Sequence, residues 1–413
     1  MTNNSLKKYF PIKTDTACKL KWTWNTVFLS TGISGACHRT AFESITPDTF
    51  NNFHNTDRKQ LERQQMLNGQ WPKDSCNYCR NIEESGGFSD RMRHLTIPGA
   101  IPTELDTDPT AVNIKPRILE VYLNNTCNLS CLYCYEGSSS KIDAENKKFG
   151  QFDQDGVVLE SNFINKADEL FPSLFEWIKE NYHSLERLHI LGGEPFFQQE
   201  FDTLLEFLKS TKNKNCEINI VTNLMTPTKI LVKYIDIFKS MIGENKIKRL
   251  DITCSIDCWG PQQEYVRTGI DLETWTNNFE YLLEQKWLTI NINQTITPLT
   301  IKTMPELIER LHNWSKKKQI GHYFGVAAPG PSYFVPKIFG PGEFDKDFEK
   351  IIQLMSDSGV ALEYMRGIQH EYLNSTADPV EIKKLIVFLN EKDRRRNTNW
   401  RELFPWLEKY VVQ

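Results

Sequence analysis

The sequence predicts an α/β protein built from six successive β/α units, and three observations carry that prediction. From about residue 116, short β-branched and apolar runs alternate with helix-length stretches, the pattern of a parallel sheet covered by helices. The first such run leads into LEVYLNNTCNLSCLYCYE, which sets Cys127, Cys131 and Cys134 in a C-x3-C-x2-C array. Seven of the ten cysteines fall in the first 134 residues, so the thiol chemistry precedes or opens the β/α region.

Residues 1–115 read as a separate cysteine-rich domain. Cys18, Gly32 and Cys37 form a C-x13-G-x4-C pattern around the β-like run TVFLS. This predicts a hairpin whose turn needs glycine at positive φ. HNTDRKQLERQQMLNG predicts a helix capped within Asn55–Asp57 and stopped at Gly69. Cys76 and Cys79 follow as a CxxC pair. A pair of cysteines plus a CxxC suits a tetrahedral four-thiolate site.

Residues 116–330 hold the six predicted strands: 118–124, 187–193, 217–223, 249–257, 289–297 and 322–329. Helices are expected near 162–182, 198–212, 227–241, 272–286 and 303–317, and the polar stretch 137–160 reads as an exposed insertion. The fourth strand reveals its faces. Asp251, Thr253, Ser255 and Asp257 alternate with Ile252, Cys254, Ile256 and Cys258, so one face is polar and the other apolar. Cys254 and Cys216 read as buried and inert. Cys258 lies past the strand end, where alternation no longer fixes direction, and is a weak catalytic candidate. His322 on the sixth strand is the other. Residues 331–413 begin with a Pro/Gly-rich connector and continue as two or three helices near 342–357, 378–391 and 399–411. The basic run 392–396 reads first as a solvated helix end, and second as a contact for substrate carboxylates.

A net charge of −4 and a pI near 6.1 give no general drive toward nucleic acid or membrane. No apolar run is long enough to span a bilayer, and the first thirteen residues lack the apolar centre of a signal peptide. The expected location is the cytoplasm, where ten cysteines point to metal or catalysis rather than disulfides.

Three close thiolates leave one metal corner free, which a structural zinc site does not. The array, with Tyr133 before the last cysteine and a strand before the loop, resembles the signature of radical S-adenosylmethionine (radical SAM) enzymes. The resemblance implies a partial (β/α)6 barrel, a [4Fe-4S] cluster on Cys127, Cys131 and Cys134, and S-adenosylmethionine (SAM) on the open iron. Gly192, Gly193 and Glu194 match the GGEP motif that binds the SAM amino group. Asn223 matches the family's T-N-G, although Leu224 replaces its last glycine. Ser255 and Asp257 match the position that contacts the ribose or carboxylate, Arg267 the arginine that pairs with the carboxylate, and Tyr133 approaches the adenine.

Residues 1–115 resemble the twitch/SPASM auxiliary-cluster domains of that superfamily, displaced to the N-terminal side. This implies one auxiliary [4Fe-4S] cluster on Cys18, Cys37, Cys76 and Cys79. The implied activity is reductive SAM cleavage to a 5′-deoxyadenosyl radical and hydrogen abstraction from substrate carbon. Enzymes with such domains mostly modify peptides, so a ribosomally made precursor peptide is the expected substrate, with crosslinking, epimerisation and backbone excision all open. A low-potential electron donor and a separate leader-recognition protein are the expected partners. Two alternatives stand beside this reading: a radical SAM enzyme acting on a small molecule or nucleotide, and a zinc-stabilised binding protein.

Overall fold

The computed structural model describes residues 14–84, 87, 89–96, 110–152, 156–326 and 331–411. The N-terminal stretch 1–13 and the end of the sixth predicted strand, 327–329, lie outside the described residues. The fold is mixed α/β, with a large parallel sheet, six successive β/α units and a helical C-terminal region. The chain divides into two units: Met1–Asn124, Ile164–Ile220 and Ile237–Leu250 form the first, and Asn125–Phe163, Val221–Asp236 and Asp251–Gln413 the second.

In the first unit the strands lie in the order Glu217–Thr222 (as far as Ile220), Arg187–Leu191, Ile118–Tyr122, Trp24–Phe28, Ile33–Gly35 and Glu43–Ser44. The first four are parallel, and the last two return as antiparallel partners. The predicted hairpin is therefore present, but its first strand also pairs with Ile118–Tyr122. Residues 24–27 are buried on both faces, as an interior strand requires. The turn glycine, Gly32, sits at φ +65°, and a Cβ there would lie 2.8 Å from Lys166 Cδ. The helices Ala167–Asn181 and Gln199–Ser210 bury Leu170, Leu174 and Ile178, and Phe201, Leu204 and Leu208. Each such side chain contributes about 1.5–3 kcal/mol on leaving water.

In the second unit, Arg249–Ser255 (from Asp251 onward), Thr289–Ile296 and Ile320–Val326 pair in parallel. The polar stretch after the cysteine loop carries a helix of its own. Ser139 accepts from Ile142 N and starts the helix Ser140–Phe149, which buries Ile142. The C-terminal region carries Asp345–Leu354, Val360–Leu373 and Pro379–Arg396, then Trp400–Leu403 and a 3-10 turn at Pro405–Tyr410. Val360–Leu373 was not predicted: it has no side-chain cap and carries Gly367 in its interior. These helices share one core that includes Phe344, Phe348, Met365, Tyr372, Leu385 and Trp400.

Candidate cluster and cofactor sites

The three-cysteine loop lies in the second unit, and short polar side chains hold its shape. Cys127 N donates to Ser140 Oγ at 3.1 Å, and Ser139 Oγ donates to Leu129 O at 2.8 Å. Leu129 N donates to Cys127 Sγ at 3.4 Å. Asn223 donates to Asn128 Oδ1 at 2.8 Å and approaches Cys127 Sγ at 3.8 Å. Burial raises the Cys131 thiol, and burial and then its two companions raise Cys134. One buried and two half-buried thiols that repel one another's charge become thiolates more readily when a cationic centre compensates them. This donor set therefore fits a soft metal cluster.

Asn223 opens a turn in which Leu224 occupies the left-handed region at φ +62°, where the resemblance expects glycine. The turn geometry survives without the glycine. Asn278, itself fully buried, donates to Leu224 O at 2.9 Å and Thr226 O at 2.8 Å and holds the loop.

Asp257 is the hub behind the loop. Its carboxylate accepts Arg267 Nε at 2.8 Å, Arg267 Nη2 at 2.9 Å, the Tyr133 hydroxyl at 2.6 Å and Thr295 N at 2.8 Å. Asp257 is 0% exposed and Arg267 6%. The two residues are thus spent on each other, whereas the sequence reading gave both to SAM. A buried carboxylate and a buried guanidinium ten residues apart form the bidentate pair that desolvation favours. Ser255 is buried in register with Asn293, on the polar face the alternation predicted.

Neither weak catalytic candidate lies on that polar face. Cys258 is fully buried, with its thiol against Thr303, and burial raises its pKa. His322 is in register with Ile292, one residue off the Asn293 row, so it shares the apolar face. There it meets Gln294 Oε1 at 2.8 Å and the Phe324 ring at 5.0 Å. Burial lowers its pKa to about 4, so it is a neutral packed imidazole at pH 7.

In the first unit, Gly192 adopts φ +147°, and a Cβ there would lie 2.7 Å from Asn124 O. Gly193 N donates to that same carbonyl at 2.8 Å. Only glycine allows this approach at position 192. Glu194 follows, fully buried, and accepts from Phe196 N.

Also in the first unit, Cys18, Cys37, Cys76 and Cys79 line one cavity, together with Lys21, Arg91 and Trp71. The two halves of the motif, more than fifty residues apart at their ends, are brought together. Burial pushes Cys37 up to about 12 and Cys79 up to about 11. Among the described residues, no group of three His, Cys, Asp or Glu converges on a single metal ion, and this holds for Cys127, Cys131 and Cys134 as well as for these four. The four thiols border a space instead of meeting at a point.

A second polar feature went unread in the sequence. Thr26, Glu120, His189 and Asn219 stand in one row across four parallel strands. Their neighbours Val27, Leu119, Val121, Leu188, Ile190, Ile218 and Ile220 are fully buried on the opposite face. The Trp24 ring lies 5.5 Å from His38, 5.7 Å from His94 and 5.2 Å from His189. Among the described residues, His38 Nδ1 and His189 Nε2 have no hydrogen-bond partner. Burial raises the Glu120 carboxyl and keeps His189 neutral. The signal was available: Glu120 and His189 sit at alternate positions within otherwise apolar runs.

Arg396 was also missed as a site residue. It donates to Ser130 O at 2.8 Å, beside Cys131, and to Glu145 Oε2 at 2.7 Å. Lys392 pairs with the same Glu145, and Arg395 is equally committed. Within the basic run, Lys392, Arg395 and Arg396 hold the cluster loop and the helix after it, whereas Arg394 is an exposed helix-end cation paired with Glu391.

Residues 121–311 match the Radical SAM superfamily. The chain is 20% identical over 195 residues to a probable GTP 3′,8-cyclase of Methanocaldococcus jannaschii, covering 47% of this chain and 54% of that protein. It is 25% identical over 223 residues to an S-adenosylmethionine-dependent nucleotide dehydratase of a Fibrobacter species, covering 51% and 57%. The chain thus spans about half the length of the curated relatives it matches. Among solved structures, Streptococcus suis SuiB bound to precursor peptide SuiA is similar at 15% identity and a TM-score of 0.35, over 85% of this chain and 66% of that one. Native anSMEcpe with bound AdoMet and Kp18Cys peptide is similar at 17% identity and a TM-score of 0.36, over 63% and 62%.

Proposed function

We propose that this chain, whose residues 121–311 match the Radical SAM superfamily, is a radical SAM peptide maturase with two iron–sulfur clusters. The observation that carries the reading is the second thiol set, in which Cys18, Cys37, Cys76 and Cys79 line one cavity. This set resembles the twitch/SPASM domains, whose enzymes mostly modify peptides. Cys127, Cys131 and Cys134 are the ligands assigned to the first [4Fe-4S] cluster, with one iron left open for SAM. Glu194 is assigned to the SAM ammonium, the backbone at Gly192 and Gly193 to close approach, and Asn223 and Ser255 to polar contacts. A cluster held by these three thiolates would supply the one-electron chemistry of SAM cleavage and hydrogen abstraction.

The other roles belong to the chain. The Asp257–Arg267–Tyr133 knot fixes the loop that carries the cysteines, so Arg267 and Asp257 act as positioning residues. Arg396 holds the same loop through Ser130 O. The row of Glu120 and His189, with Trp24 and His38, is assigned to substrate contact. There a carboxyl and an imidazole are cross-strand neighbours, and Nδ1 of His38 and Nε2 of His189 have no hydrogen-bond partner among the described residues.

A nucleotide substrate is the second reading. It is favoured by the two relatives above, whose names describe action on GTP and on nucleotides. One experiment separates them. The anaerobic protein, reduced and given SAM, is incubated with ribosomally made peptides and, in parallel, with nucleoside triphosphates. A mass change on peptide supports the maturase. Turnover of nucleotide with no change in any peptide would sink it.

A further inference from the structure

We propose that Lys21 and Arg91 set the reduction potential of the four-thiol site, as buried cations turned toward the cavity that favour the reduced state of a cluster held there. The inference rests on the proposed second cluster and goes beyond it, because it gives that site a direction for the electron.

Both side chains line the cavity, and the carboxylates that neutralise them do not: Glu62 behind Lys21 and Glu83 behind Arg91 are absent from its wall. Each ion pair is therefore a dipole with its positive end inward. The third cation on the wall, Arg39, differs, because its partner Asp90 lines the cavity beside it and offsets it locally.

The cations are also fixed and dry. The Lys21 side chain is 2% exposed and that of Arg91 4%. Lys21 Nζ donates to Thr40 Oγ1 at 2.8 Å, to Ser75 Oγ at 3.0 Å and to Glu62. These three partners hold the ammonium in place, and its charge acts on the Cys76 thiol beside it. Arg91 donates to Ala17 O and to Glu83 at 2.9 Å each, and its guanidinium lies 5.0 Å over the Trp71 ring. In a site this dry, the attraction between a fixed cation and an added electron is screened little. Net charge around a cluster is one of the levers that set its potential. Four thiolates also leave no iron corner open, so electron transfer suits this site better than ligation of substrate.

The test is a redox titration of the anaerobic, iron- and sulfide-loaded holoenzyme, followed by the electron paramagnetic resonance signal of the auxiliary cluster. Lys21→Met is expected to shift the midpoint to more negative potential. Glu62→Gln, which leaves the ammonium uncompensated, is expected to shift it to more positive potential, and Lys21→Arg to stay near the parent. Lost packing alone does not give opposite signs. If Lys21→Met fails to fold, the direction of the Glu62→Gln shift decides. Unchanged midpoints with full iron would overturn the inference. Zinc in place of iron at the four thiols would overturn the two-cluster reading beneath it, and that outcome is distinct because no auxiliary signal would then exist.

Discussion

Leu224 holds a backbone conformation that costs a non-glycine residue about 1–3 kcal/mol, and its side chain is fully buried. The two effects oppose one another, so substitutions at this position have a fixed order. Leu224→Ala loses the buried side chain, worth about 2–5 kcal/mol, and keeps the strain. Leu224→Gly loses the same side chain and relieves the strain. Urea unfolding should therefore rank the parent above Leu224→Gly and Leu224→Gly above Leu224→Ala, with about 1 kcal/mol between the variants. A glycine variant weaker than the alanine variant would show that the turn is not strained. Asp257 poses a simpler case. Asp257→Asn leaves Arg267 buried beside a neutral amide, and breaking such a pair costs about 3–5 kcal/mol. Loss of less than 1 kcal/mol in the same assay would mean that the pair does not lock the loop.

At the scale of elements, the strands were legible because alternation reports burial directly. The six predicted runs overlap six observed strands, and the 249–257 pattern named its polar face. The helix Val360–Leu373 was not legible, because its interior glycine and missing cap remove the local signals, and only its packing against Phe348 and Leu385 makes it helical. The hairpin was read correctly as a turn but not as a partner of Ile118–Tyr122, since pairing across ninety residues leaves no mark in local spacing. Beneath that hairpin lies a titratable support. Lys59, on the helix Asp57–Leu67, donates to Ser34 Oγ at 2.9 Å from a buried position. Burial lowers its pKa to about 7, against about 10.4 in an unfolded chain. Between those values the unfolded chain binds more protons, so stability rises with pH from about 7 to about 10, and this gain is lost as pH falls. Lys59→Met should lack that slope. Urea midpoints at about pH 7 and pH 9.5 check it, and parallel slopes in parent and variant would remove Lys59 from the account.

For the molecule as a whole, both cysteine sets were legible because spacing alone defines them, whereas their surroundings were not. Lys21, Arg91, Arg396 and Glu120 meet their partners only through folding, from positions between 8 and more than 200 residues away. The two sets stand in different units, Cys18, Cys37, Cys76 and Cys79 in the first and Cys127, Cys131 and Cys134 in the second. If each holds its own cluster, iron content partitions between them. The anaerobically loaded parent should carry about eight irons and as many sulfides per chain. Cys127/Cys131/Cys134→Ala should keep about half, and so should Cys18/Cys37→Ala. Combining all five changes should leave almost none, because each half-set then lacks the thiolates to retain a cluster. Iron and acid-labile sulfide analysis reads all four proteins. A parent with about two zinc ions and no sulfide would favour the structural-zinc alternative. Either single set removing all the iron would mean that the two sites do not load independently.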